Sequence, residues 1–199
     1  MNITRKVVRA VFVPILLLLS VLLILIILLS MQAANQQRQK QNSAVSNAKD
    51  FVERAKLNLY HHAVVLSMNS EAYGLVSGGD NMIEVIEESG VDCVCFASDT
   101  DIYERYFDAD VEGFADDENI KNFMQSDKVT DITYIQGKPF ILAKTSYMDD
   151  RFDRILLAKG IDQFFLSELD KVIGAKTSVI PSAETDSERN IVELSEMAS

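Results

Sequence analysis

The first apolar pattern along the chain has no period. Residues 10–31, AVFVPILLLLSVLLILIILLSM, carry no charge over 22 positions. At about 1.5 Å of rise per residue, a helix of this length crosses roughly 30 Å of hydrocarbon. Pro14 falls near its start, where a helix tolerates proline best. A secretory signal has a shorter apolar region, so an uncleaved transmembrane helix is expected. Gln32–Asn42 is polar and helix-compatible, and from Val45 a seven-residue repeat sets in. Val45, Val52, Leu59 and Leu66 take one position; Ala48, Ala55 and His62 take the other. The repeat predicts a long helix over 32–78, closed by Gly78-Gly79-Asp80. Its narrow seam fits two uses, packing on the chain's own domain or a parallel homodimer contact.

Beyond that helix the pattern shortens. Met82–Glu88 reads as a short helix ended by Gly90. Val91–Ala97 and Ile102–Phe107 are expected to pair as a hairpin across the polar turn Ser98-Asp99-Thr100-Asp101. Glu118–Gln125 is a second short helix. Val129–Gln136, Pro139–Tyr147 and Phe152–Lys159 read as three strands, joined by Gly137-Lys138 and by Met148–Arg151. Ile161–Val172 is amphipathic, with Ile161, Phe164, Phe165, Leu169 and Val172 on one face. Thr177–Ile180 is expected as a final strand, and 182–199 is a polar tail. Residues 79–181 thus predict an α+β domain, an antiparallel sheet of five to six strands with helices packed on one face.

Charge orients this arrangement. Arg5, Lys6 and Arg9 precede the apolar segment and no acid does, which keeps residues 1–9 cytoplasmic and sends the rest outside. After Met31 stand 16 Lys and Arg (19 less those three) and all 30 Asp and Glu, about −14. So acidic an external part argues against nucleic acid and against anionic lipid as partners.

The chemical stock is thin: no Trp, two His and two Cys. No Ser, Cys or Lys stands in a nucleophile setting, and Gly78-Gly79 follows a helix, the wrong order for a phosphate loop. No catalytic residue, cofactor or metal is expected. Cys93 and Cys95 lie two apart on one strand, so they share a face as parallel side chains, suited to buried thiols and not to a disulfide. In DADVEGFADDEN, Asp108, Asp110, Glu112 and Gly113 match calcium-loop positions 1, 3, 5 and 6, but position 12 holds Asn119 and not glutamate. The segment reads better as an acidic loop before a helix. His61 and His62 are adjacent, so only His62 falls on the seam.

Three segments carry a resemblance: VDCVCFASDTDIYERY, GKPFILAKTSYMDD, and LLAKGIDQFFLSELDKVIGAKTSVI. Over Asn35–Ile180 the chain resembles the extracytoplasmic Cache sensor domains, in which a PAS-like sheet stands on a long membrane-exit helix. The resemblance implies a small-molecule sensor in a bacterial chemoreceptor, histidine kinase or diguanylate cyclase, with a cytoplasmic signalling module beyond this chain. It places cationic ligand contacts at Arg105 and Lys144, with Tyr103, Asp108, Tyr134 and Tyr147 beside them. It departs from the carboxylate-sensing branch where Asp108 replaces His and Leu142 replaces Arg. A membrane-anchored, dimerising scaffold without ligand is the alternative expectation.

Overall fold

A computed structural model describes residues 3–69, 90–98, 101–107, 111, 113–147 and 152–179, without the side chains of 3–11, 13, 14 and 104–107. The chain is α+β and divides into two units, Met1–Ala44 and Val45–Ser199.

Helix α1 runs from Ile3 to Met68. Its N-terminal part is long and apolar enough to cross a membrane. Every side chain from Ile15 to Met31 is exposed. Leu, Ile and Val in such number stay out of water only in another apolar medium. α1 ends at Met68, short of the expected Gly78-Gly79 stop. That stop and the expected helix Met82–Glu88 lie outside the described residues, as does the tail from Ile180 onward.

The second unit is built on one antiparallel sheet. Its strands are β1 (Cys93–Ala97), β2 (Ile102–Phe107), β3 (Thr130–Ile135), β4 (Lys138–Ser146) and β5 (Arg154–Gly160). The order is β2-β1-β5-β4-β3, so consecutive strands pair except β2 and β3, which form the two edges, and β5 closes the sheet between β1 and β4. Two helices accompany them, α2 (Glu118–Gln125) and α3 (Gln163–Ile173). The β3–β4 turn is Gln136-Gly137, one residue earlier than the expected Gly137-Lys138. Both turn residues have positive φ, 50° and 80°. Such a two-residue turn matches the twist of the strands it joins, and glycine adopts its second position without cost.

Both faces of the sheet are buried, where helices were expected on one face only. On the first face, Val94, Phe96, Ile141, Ala143, Ile155 and Leu157 meet Leu59, Ala63 and Leu66 of α1 and Phe165 of α3. On the second, Cys93, Cys95, Ala97, Phe140, Leu142, Leu156 and Ala158 meet Phe114, Ile120, Phe123 and Met124. The alternation along β1, β4 and β5 is the period of a strand, but both phases are apolar. Each fully buried large side chain there stabilises by about 1.5–3 kcal/mol.

The expected strand at Thr177–Ile180 is absent among the described residues, Thr177–Val179. α3 ends at Gly174, whose φ of 70° suits glycine. The Thr177 N–H and hydroxyl then both donate to the Asp170 carboxylate at 2.6 Å, which takes the donor a sheet would need.

Candidate functional site

The polar centre of the second face is the C-terminus of α2. Asp117 caps the other end, its carboxylate accepting from the Asn119 N–H at 2.9 Å. Ile120, Phe123 and Met124 fix the helix on the sheet, and it stops at Ser126 after eight residues. The last carbonyls of any helix lack donors from a following turn. α2 has no basic residue in its own last turn. Lys144 of β4 supplies the charge from across the sheet. Its Nζ donates to the carbonyls of Phe123 at 2.7 Å, Met124 at 2.9 Å and Ser126 at 2.5 Å. An ammonium has three N–H donors, so all three are engaged. The same nitrogen lies 4.9 Å from the centre of the Phe123 ring.

Arg154 adds a second cation. Its Nη1 donates to the Met124 carbonyl at 3.0 Å, while Nη2 lies 3.2 Å from the Asp153 carboxylate. The β4–β5 register explains the pairing. Lys144 stands opposite Leu156 and Ser146 opposite Arg154, so the two cations are diagonal neighbours on one face. Positive charge at a helix C-terminus is favourable, and the low exposure of Lys144, 8%, removes solvent screening. Burial pushes the Lys144 ammonium below the usual lysine range; Arg154 adds to this and the Asp127 carboxylate draws it back.

Of the six residues considered for a ligand, the four whose side chains are described, Tyr103, Tyr134, Lys144 and Tyr147, are not gathered. Lys144 is committed to α2 on the second face. Tyr147 lies on the first face, buried, with its ring 5.1 Å from that of Phe96. Tyr134 pairs with Pro139 on edge strand β3, and burial raises its phenol above the usual value. Tyr103 pairs with Phe96 on the opposite edge strand, β2, half exposed, its ring 5.3 Å from that of Phe152. Four strand spacings, roughly 19 Å, separate the two edges. Arg105 also lies on β2. The β1–β2 register goes from Val94 opposite Tyr106 to Cys95 opposite Glu104 and passes over Arg105, which is therefore the bulge residue. Bulges re-aim side chains and gather near functional sites. The Arg105 side chain and all of Asp108 lie outside what the structure describes.

The heptad positions fall mainly inside. Leu59 and Leu66 are buried against the chain's own sheet, Val52 is half-buried, and Val45 is exposed. Ala48 is buried too, and Ala55 packs against the same core. For the last turns of α1 the intrachain use of the seam is the one realised. His62 joins this face half-buried, and burial, His61 and Lys159 together hold its imidazole below the usual value.

Of the calcium-like segment, Asp108, Asp110 and Glu112 lie outside the described residues. Asn119, where a calcium loop needs its glutamate, donates its amide to the Tyr134 carbonyl at 2.9 Å. Among the described residues no three His, Cys, Asp or Glu gather as metal ligands. Cys93 and Cys95 are buried thiols with sulfurs 3.4 Å apart and no disulfide between them. Sequence reasoning passed over Arg154; its signal was the parity it shares with Leu156 and Ala158, which puts it on the Lys144 face.

No family model matches the chain, and a search of curated proteins finds no related sequence.

Proposed function

We propose that the chain is the extracytoplasmic ligand-sensing part of a bacterial transmembrane signalling receptor, with a Cache-like, PAS-like sensor domain of the kind carried by methyl-accepting chemotaxis proteins. One observation carries this reading: a five-stranded antiparallel sheet, β2-β1-β5-β4-β3, packs one face against the last turns of a helix whose other part is long and apolar enough to cross a membrane. The basic residues before the apolar segment keep the N-terminus inside, and the acidic sheet unit stands outside. The same external unit would serve a histidine kinase or a diguanylate cyclase. The chain performs no catalysis; it reports occupancy to a cytoplasmic module.

The ligand contact is assigned to edge strand β2. Arg105 at the bulge grips a carboxylate through its planar fork. Asp108, three residues on, holds an amine. The pair selects a small zwitterion such as an amino acid. A ligand acts only by preferring one state of the sheet, and helix shifts of about 1–2 Å are the usual size of the response.

The test is a thermal melt of the full chain in detergent against amino acids, dicarboxylates and amines. An amino acid raises the melting temperature. The rise disappears in Arg105→Ala with the ligand-free melt unchanged, whereas Lys144→Ala melts lower and keeps the rise. A folded protein whose melt moves with no member of the panel contradicts the reading. So does concentration-dependent dimerisation without any ligand response, which is the behaviour of a scaffold.

A further inference from the structure

We propose that Cys93 and Cys95 form a preorganised dithiol site for small trivalent arsenicals, independent of the ligand contact on β2. Both side chains are wholly buried on the second face, and their sulfurs stand 3.4 Å apart. The contact is a thiol–thiol hydrogen bond, far longer than the roughly 2.05 Å of a disulfide and short enough for both sulfurs to bond one intervening atom.

The bite selects among such atoms. A tetrahedral zinc ion with bonds of about 2.3 Å needs sulfurs about 3.8 Å apart and two further ligands. No third His, Cys, Asp or Glu gathers with the pair among the described residues. A linear monovalent ion with bonds of that length would ask for about 4.6 Å. Trivalent arsenic is pyramidal, with angles near a right angle between its bonds. At similar bond lengths it asks for about 3.3 Å and for only two sulfurs from the protein.

Charge selects in the same direction. A metal thiolate would place two anionic sulfurs among Phe114, Phe140, Leu142, Leu156 and Ala158, which is costly. Arsenic–sulfur bonds are covalent and neutral. The step is a condensation: CH3As(OH)2 and two S–H groups give CH3As(S–)2 bridging the cysteines, and two waters leave with the two thiol protons. Arsenic stays trivalent and sulfur is not oxidised, so no oxidant or reductant enters. Both sulfurs are wholly buried, so entry requires the second face to open locally.

The full chain in detergent is incubated with methylarsonous acid, then with arsenous acid, without denaturant. Intact-mass spectrometry of the first should show one methylarsenic per chain with loss of two hydrogens. It should survive a large excess of a monothiol, and neither cysteine should then alkylate on unfolding. Cys93→Ala and Cys95→Ala, each checked by circular dichroism for a native fold, should lose the retained adduct. Should a variant not fold, Cys→Ser at the same position takes its place. An adduct seen only after unfolding, or one kept by a single-cysteine variant, overturns the proposal.

Discussion

The two faces of the sheet are closed by different forces. On the first, side chains of α1 and α3 reach the strands through aliphatic and aromatic contact, and the two helices meet at Phe51 and Phe165, ring centres 5.2 Å apart. On the second, an eight-residue helix brings three buried side chains and is held at its end by two cations from the strands. A helix that short has little propensity of its own to form. Charge-assisted bonds to its last carbonyls make up for the apolar area it lacks. A basic residue on a sheet is thus not by itself a ligand contact, since a helix end can claim all its donors.

The largest effect should come from Leu59→Ala. It empties a first-face site that is 4% exposed and should cost about 2–5 kcal/mol, read from denaturant unfolding followed by the tyrosine near-ultraviolet signal. Val45→Ala, on the same heptad position but exposed, should stay within about 0.5 kcal/mol. Equal costs would mean that the seam serves another chain.

Next comes Lys144→Met, which keeps the stem and removes the three donors. It should cost about 3 kcal/mol in the same measurement, from the loss of three charge-assisted bonds. Arg154→Met removes one bond to Met124 and an exposed ion pair, and about 1 kcal/mol is expected.

The smallest effect is a pH dependence on the first face. His62 has a lowered value in the fold, so its imidazole stays neutral where the unfolded chain has begun to bind a proton. The unfolded state then carries more protons, and stability rises with pH. This contribution is present in full above the ordinary imidazole value of about 6.5 and is lost as pH falls from there through the lowered one. Melts from neutral pH downward should show the loss, and His62→Gln should flatten it. An unchanged slope in that variant would remove His62 from the account.

Much of this build was legible in the sequence. α2 has the boundaries the pattern sets, because Asp117 marks its start and Ile120, Phe123 and Met124 its buried side. The strands fall within two residues of expectation for the same local reason. The second covered face was written in CVCFA, FILA and ILLA, whose apolar runs are continuous and not alternating, the mark of strands buried on both sides. What pattern could not supply was register. Only the β4–β5 pairing sets Lys144 diagonal to Arg154, and only tertiary packing brings both to Phe123 and Met124. Strand order separates Tyr103 from Tyr134 by the width of the sheet, though both were expected beside one ligand. Thr177 lost its strand to a carboxylate seven residues back, a contact with no trace in hydrophobic periodicity.

The most direct measurement is hydrogen exchange by mass spectrometry on the full chain and on Lys144→Met, with and without the amino acid that raises the melt. In the variant, peptides covering Glu118–Ser126 should lose protection while those of β5 and of α1 from Leu59 to Leu66 keep it, and the ligand should still protect β2. Unchanged protection of α2, together with loss of the ligand's effect, would show that Lys144 serves the ligand and not the helix.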